Sequence, residues 1–276
     1  MTGKRRRNLI IIELIIIVIA VIYFIPAWVT VANSFKPLGE ILKNTFSAPA
    51  GLYLDSFRFV LREMNYLRVI GNTVLIAVIS VSISVLISSM CGYKLSRADN
   101  GMSRVLLALF TASMIIPFQT IMIPLAKLTS GMGINNSILG YILVYIPLLA
   151  PFAIFMYHSF VKTIPLEIEE SARIDGCPPL RLFFQIVFPL LKPVNATIIV
   201  LFTLWTWNEF SVALLMLQRS SLSTIILTIY SFFGAHSMRW DYALAGLTMS
   251  AVPMVVFFII MQKNIIGGIM SGAIKG

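Results

Sequence analysis

Apolar residues occur along the chain in six runs, separated by segments that hold most of the polar and charged residues. A helix that crosses about 30 Å of hydrocarbon needs roughly 20 mostly apolar residues, and each run meets that length. The runs cover residues 9–31, 69–93, 105–128, 138–161, 194–217 and 242–261. This pattern predicts an all-α, polytopic membrane protein with six transmembrane helices.

The composition agrees with a membrane protein and excludes several other classes. Only 12% of the 276 residues are charged, whereas a soluble domain carries about 25%. The hydrophobic content of 58% excludes a disordered chain, and two cysteines are too few for a disulfide-stabilised scaffold. The net charge of +10 comes from basic residues near the ends of the apolar runs, which are not gathered into one stripe along the chain. That distribution favours contact with membrane lipid and argues against nucleic acid.

The basic residues also predict the orientation of the chain. The side of the membrane that holds the basic cluster at residues 4–7 carries more Lys and Arg than the other side, and such an excess marks the cytoplasmic face. We therefore expect both termini in the cytoplasm and a multi-pass location in the cell membrane. Residues 1–67 would form the first transmembrane helix and an outer segment, residues 68–262 the other five helices, and residues 263–276 a cytoplasmic tail.

The predicted cytoplasmic segment at 162–192 is too long for a simple connection. Pro165 suits a first helical turn, and Glu169 and Arg173 are four residues apart, so they can form an ion pair on one helix face. Gly176 is expected to end this helix, and Pro178-Pro179 to start a second one. The segment is predicted to be a helix–turn–helix elbow that docks on a cytoplasmic partner. The pattern alone also fits an ordinary solvated loop with some helix in it.

The elbow resembles the "EAA" coupling signature of ABC importer permeases, which is Glu-Ala-Ala, three residues, Gly, nine residues, then Ile-x-Leu-Pro. The matching positions are Glu170-Ser171-Ala172, Gly176, Ile186 and Phe188-Pro189. Ser171 and Phe188 depart from the pattern, but the spacing is kept. Further stretches resemble the maltose-type carbohydrate-uptake group; these are Asn72-Thr73, Gly92-Tyr93 and residues 172–176 and 207–210. The ending at residues 267–276 resembles the tail of the smaller, second permease subunit of that group.

This resemblance implies a type I ABC importer permease fold and a defined set of partners. The chain would pair with a homologous permease, with two ATPase subunits beneath and an extracytoplasmic sugar-binding protein outside. In that family the signature contacts the ATPase, which implies coupling roles for Glu170, Ser171, Ala172, Asp175 and Gly176. The tail of the family reaches the ATPase interface, which implies that location for Ser271, Gly272 and Lys275.

The chain itself has no catalytic constellation, and no Gly-x-x-x-x-Gly-Lys-Ser/Thr phosphate-binding loop occurs in it. We therefore expect a transport subunit that is not an enzyme and binds no cofactor, with ATP and Mg on the partner ATPase. The two histidines lie far apart without the spacing of metal ligands, so no metal site is expected.

A carboxylate within the fifth apolar run marks a candidate substrate path. Ionisable groups inside a membrane are costly and normally face a cavity or a partner. Glu209, with Trp207 and Asn208, is therefore predicted to line the sugar path, although a structural hydrogen bond between helices is an equal alternative for Glu209. Trp205 and Trp207 offer faces for sugar stacking, but aromatic residues in spans more often serve packing.

An ion-coupled secondary transporter or a channel that acts without an ATPase is the alternative function. Such a protein is expected to have inverted repeats or a charged relay within the membrane. The apolar runs contain Glu13 and Glu209 but no further acidic residue that would build a relay. The elbow and the tail therefore favour the ATP-driven importer.

Overall fold

The computed structural model describes residues 3–98, 100–233 and 239–273, and within these ranges the regular structure is helical without a strand. The α-helices are α1 (Gly3–Ser34), α2 (Leu38–Lys43), α3 (Asp55–Glu63), α4 (Tyr66–Arg97), α5 (Gly101–Ser113), α6 (Phe118–Gly131), α7 (Ile138–Val161), α8 (Leu166–Ile174), α9 (Pro179–Leu182), α10 (Phe188–Leu190), α11 (Lys192–Trp207), α12 (Ser211–Met216), α13 (Ile225–Tyr230) and α14 (Trp240–Ala273). The all-helical prediction is confirmed for this part of the chain.

In the described part of the chain, four single helices are long and apolar enough to cross a membrane. They are Leu9–Ser34, Tyr66–Arg97, Ile138–Val161 and Trp240–Gln262. Two further candidates are pairs of helices with a sharp bend between them, so the number of spans is four, or up to six if each pair counts as one. Long apolar helices are therefore present as predicted, whereas the number of six spans stays a prediction.

The third and fifth apolar runs are not the single straight helices that their hydropathy suggests. α5 and α6, which together cover the third run, meet at 100°. A further bend of 76°, between Pro179–Leu190 and α11, lies just before the fifth run begins. The bend before α6 has a local cause, because Pro117 occupies the N-cap of α6 in an extended conformation and has no N–H to continue the helix from α5. The fifth run is also interrupted after α11, where Asn208 leaves the helix and α12 begins at Ser211.

Contacts divide the chain into two compact units, the first formed by Met1–Tyr66 and Thr228–Pro253, the second by Leu67–Leu227 and Met254–Gly276. In the first unit, the ring of Phe59 stacks on that of Tyr242 with centroids 3.8 Å apart. The ammonium of Lys36 is fully buried there and donates hydrogen bonds to the Asn44 carbonyl oxygen at 3.1 Å and the Ser47 hydroxyl at 3.2 Å. These contacts stabilise the conformation of the first unit, including the segment that follows α1.

The second unit holds the main core, in which α4 packs against α7. The buried face of α4 carries small residues at four-residue intervals; these are Ser80, Ser84, Ser88 and Gly92. Small residues allow the backbones of two membrane helices to approach closely. Because burial of apolar surface gives no net gain in lipid, this close packing drives the association of the helices. The facing residues of α7 include fully buried aromatic side chains such as Tyr141 and Tyr157.

Gly92 is the point of closest approach between these helices. A Cβ atom built on Gly92 would lie 2.6 Å from Tyr157 Cβ and 2.9 Å from the Ile154 carbonyl oxygen. Both distances are shorter than real Cβ contacts allow, and a backbone oxygen cannot move aside cheaply. Gly92 therefore sets the spacing of α4 and α7 near the end of α4.

We expect Gly92→Ala to lower the stability of the protein by about 1–3 kcal/mol, because the added methyl group forces the two helices apart. The matched control is Gly71→Ala in the same helix, where a Cβ meets nothing within 4 Å. The thermal midpoint of the protein in mild detergent measures the effect. Equal midpoints for the two variants would contradict the close approach at Gly92.

Candidate coupling site and membrane cavity

The segment between α7 and α11 forms an elbow with two helical arms, α8 and the continuous stretch from α9 to α10. α8 ends at Ile174, and Gly176 follows with φ +77°, a left-handed conformation that favours glycine. The Gly176 N–H donates to the Arg173 carbonyl at 3.0 Å, and the Cys177 N–H to the Ala172 carbonyl at 3.0 Å. Pro178 then caps α9. Glycine and proline thus define the sharp turn of the elbow.

The exposed side of α8 carries the residues that the signature singled out. Glu170, Ser171 and Asp175 are exposed, and Ala172 is half-buried. The Ser171 hydroxyl donates to the Glu167 carbonyl at 2.8 Å, so it stabilises its own helix. Among the described residues the structure records no ion pair to Glu170, which leaves its carboxylate available to a partner.

The side chain of the neighbouring Glu169, by contrast, is fully buried. Its carboxylate accepts a hydrogen bond from the Tyr93 hydroxyl at 2.7 Å and from Arg97 Nε at 2.8 Å. Arg97 Nη2 lies 2.7 Å from Glu169 Oε1, and Arg173 Nη2 lies 3.3 Å from Oε2. The expected Glu169–Arg173 pair is thus present, within a larger network that joins α8 to the end of α4.

The second arm of the elbow is anchored by apolar contacts. It contains a π-helical turn at Phe183–Val187, between α9 and α10. Leu182, Phe183 and Val187 are buried in the core of the second unit. The Phe183 ring lies 5.6 Å from the Tyr93 ring, measured between centroids. Both arms of the elbow therefore contact Tyr93.

The tip of the elbow exposes apolar side chains beside its acidic residues. Ile174 is 86% exposed and Leu180 65% exposed, on either side of the Gly176 turn. Exposed apolar groups with a polar rim mark interaction surfaces. The elbow is thus a protrusion with an apolar tip and a free carboxylate, held from behind by a buried ion pair.

Glu209 lies at the break between α11 and α12. Its carboxylate accepts hydrogen bonds from the Val212 N–H at 2.9 Å and the Ala213 N–H at 3.0 Å, so it caps the first turn of α12. The Tyr141 hydroxyl of α7 donates to it at 3.2 Å. These donors compensate for the cost of an acidic group within an apolar helix pair.

Glu209 also lines a cavity of about 450 Å³ between the bent third run, α7 and α11. The wall includes Tyr145, Phe152 and Trp205, with the Phe152 and Trp205 rings in an edge-to-face contact at 5.0 Å. A cavity of this size can hold a small organic ligand. Both roles considered for Glu209, the wall of a path and a structural contact between helices, are therefore geometrically compatible with its position.

The two residues predicted together with Glu209 lie elsewhere. Trp207 is only 5% exposed and packs in the core, and the Asn208 side chain donates to the Leu204 carbonyl at 2.8 Å. Trp205 is 43% exposed and is the tryptophan that lines the cavity. The difference follows from helix geometry, since residues two positions apart point to nearly opposite faces.

Residues of the tail can be located only in part. The backbone of Ser271 and of Gly272 forms part of α14, and the Ser271 side chain lies outside the described part of the structure. Lys275 lies outside the described residues altogether. In the parts of the chain that are described, no group of three His, Cys, Asp or Glu residues could hold a metal ion.

The sequence does not indicate the contacts of several residues that shape these sites. It marks Arg97 only as one of the basic residues between apolar runs, and it pairs Glu169 only with Arg173. Asn72 and Thr73 fix the segment that follows α12: Asn72 Nδ2 donates to the Ser221 and Ser223 carbonyls at 3.1 Å, and Thr73 Oγ1 accepts from the Ile225 N–H at 3.0 Å. The four-residue spacing of Tyr93 and Arg97, with two adjacent acids in α8, was the available signal for the buried network.

Solved structures of bacterial ABC transporters contain chains with the same overall fold as this chain. One chain of a bacterial ABC transporter involved in the import of the acidic polysaccharide alginate has a TM-score of 0.79 to this chain and 21% sequence identity. That match covers 95% of this chain and 98% of the other. At this level of identity the likeness concerns the fold.

Sequence relatives carry the family assignment. The probable starch degradation products transport system permease protein AmyC of Thermoanaerobacterium thermosulfurigenes is 33% identical over 260 residues, which cover 94% of each chain. The melibiose/raffinose/stachyose import permease protein MelC of Bacillus subtilis is 32% identical over 277 residues, and the match covers both chains completely. The family model of the binding-protein-dependent transport system inner membrane component matches residues 84–270. The chain is therefore a member of this family, a multi-pass permease component of an ABC transporter in the inner membrane.

Proposed function

We propose that this permease is the membrane-spanning subunit of an ATP-driven importer of a carbohydrate, most simply an oligosaccharide. It would form half of the translocation path together with a homologous permease. Two ATPase subunits, which bind ATP and Mg, would dock on the cytoplasmic side, and an extracytoplasmic sugar-binding protein would deliver the substrate. In this proposal α5 with α6 forms the third span and α11 with α12 the fifth, so the chain has six spans with both termini in the cytoplasm.

The observation that carries this proposal is the family match over residues 84–270, because it includes both the elbow and the cavity. The relatives with this match are named as permeases for starch degradation products and for melibiose, raffinose and stachyose. A second alginate transporter structure, with a TM-score of 0.71, contains a periplasmic protein with bound alginate pentasaccharide. These names support a carbohydrate substrate and an external binding protein for this chain.

The elbow has the features that a docking element needs. Nucleotide binding closes two ATPase subunits on each other, and only a stiff connection converts that movement into tilting of membrane helices. The turn at Gly176 is internally hydrogen-bonded, and Glu169 is buried against α4. In our proposal, Ile174 and Glu170 contact a groove of the ATPase, with Ser171, Ala172 and Asp175 beside them. Ser271, Gly272 and Lys275 of the tail would contact the ATPase interface.

The cavity fits one end of a sugar path. Sugars bind in proteins by stacking an apolar ring face on an aromatic side chain and by hydrogen bonds to their hydroxyls. Trp205 and Phe152 provide aromatic surface, and Glu209 provides acceptors at the same wall. Broken helices are accommodated in membranes where they line a cavity, and both broken runs of this chain border this one.

Purification of the tagged chain from its own host in mild detergent tests the complex as a whole. We expect mass spectrometry to identify a second permease and an ATPase with a phosphate-binding loop. A control preparation with an unrelated tagged membrane protein defines the background. Recovery of a lone homo-oligomer in several detergents would contradict the importer and favour a secondary transporter or channel.

Glu170→Lys should weaken ATPase docking by roughly ten-fold or more, because it replaces an exposed carboxylate at the docking surface with a like-sized positive group. Co-purification of the ATPase and its binding affinity measure the effect. Glu63→Lys at the end of α3 makes the same change of net charge on an exposed residue far along the chain from the elbow. Unchanged docking in Glu170→Lys, or an equal loss in both variants, would contradict this role.

Trp205→Leu should reduce the rate of sugar uptake at low sugar concentration by roughly 3–10-fold, the range expected for loss of one aromatic contact. Uptake by proteoliposomes that contain the full complex is the measurement. The control is Trp28→Leu, which changes an exposed tryptophan of α1 that is not part of the cavity. If both variants transport equally well, the cavity is not part of the sugar path.

A further inference from the structure

A buried carboxylate connects the elbow to a membrane helix. The Glu169 side chain has no solvent exposure, and it forms contacts with Tyr93, Arg97 and Arg173. Arg97 is itself only 17% exposed. Charged residues are rarely buried unless they are paired, so the position of Glu169 depends on these partners.

The network holds α8 at two points. Arg97 donates through Nε and Nη2 to Glu169, in the middle of α8, and through Nη2 to the Ile164 carbonyl at 2.9 Å, just before α8 begins. A guanidinium group is planar and rigid, so two contacts from one group fix both distance and direction. The first arm of the elbow cannot slide or rotate on α4 while these contacts are intact.

Tyr93 extends the same connection to the second arm. It lies one turn before Arg97 on α4, its hydroxyl donates to Glu169, and its ring contacts Phe183. The end of α4 is thus linked to α8 by charge and hydrogen bonds, and to the second arm by an aromatic contact. Both arms are therefore in contact with the same end of α4.

Fold stability alone is a weak reason for such a pair. A buried ion pair is often no more stabilising than apolar residues of the same size, because both charges lose their hydration. A directional contact is, however, what transmission of movement requires, since apolar surfaces can slip past one another. Glu169 and Glu170 are adjacent, but the Glu169 side chain is buried against α4 and the Glu170 side chain is exposed.

We propose that Glu169 is a positioning residue that transmits movement of the elbow to α4 through Arg97 and Tyr93, whereas Glu170 serves docking. This inference rests on the proposed importer function and adds a division of roles within the elbow. Loss of the Glu169 contact leaves the ATPase docked and active, but its movement no longer reaches the membrane helices. The expected consequence is ATP hydrolysis with little sugar transport.

The experiment measures sugar transported per ATP hydrolysed by the complete complex in proteoliposomes. Glu169→Gln removes the charge, and Arg97→Lys keeps the charge but not the two-point grip on Glu169 and Ile164. The double variant Glu169→Leu with Arg97→Met leaves no unpaired buried charge, so it separates transmission from stability. Glu167→Gln, an exposed carboxylate of the same helix, is the matched control.

We expect the ratio of sugar to ATP to fall about ten-fold in Glu169→Gln and in the double variant, and less in Arg97→Lys, a coupling effect within the usual range. ATPase co-purification should persist in all of them, and Glu167→Gln should match the wild type. A normal ratio in Arg97→Lys and the double variant would assign the pair to folding and overturn the transmission role alone. Absence of an ATPase from the wild-type preparation would overturn the importer function as well.

Discussion

Close packing of α4 on α7 is the contact on which the rest of the second unit depends. Lipid is as apolar as a leucine side chain, so membrane helices associate through fitted surfaces and not through exclusion of water. The row of small residues on α4 that ends at Gly92 provides that fit. Because the elbow leaves the end of α7 and is bonded to the end of α4, the spacing of these two helices also determines where the elbow lies.

The breaks in the third and fifth apolar runs create a common physical requirement. A helix that begins within the membrane leaves its first backbone N–H groups without partners, and these must be satisfied inside the protein. At α12 the Glu209 carboxylate does this with two N–H groups. An acidic residue that is costly in hydrocarbon is therefore part of the solution to a local backbone problem, and the same residue reaches the cavity wall.

The sequence predicted most of what depends on hydropathy and on turn residues. The apolar runs coincide with helices, and the elbow turns at the glycine and prolines that predicted it. Hydropathy contains no information on direction, so the 100° bend between α5 and α6 could not be read from it. The sequence also could not show which of two nearby residues is buried and which is exposed. Glu169 and Glu170, and likewise Trp205 and Trp207, differ only in which helix face meets another part of the fold.

The π-helical turn at Phe183–Val187 affects how this permease can vary over evolution. Such a turn holds one residue more than an α-helical turn within the same helix, because its hydrogen bonds span five residues instead of four. Deletion of one residue here would convert the wide turn to an ordinary one and leave the flanking segments on their present faces. Within α11 the same deletion would rotate every following side chain by about 100°. The geometry of the wide turn can thus absorb the loss of one residue from the second arm without changing the direction of the membrane helix that follows.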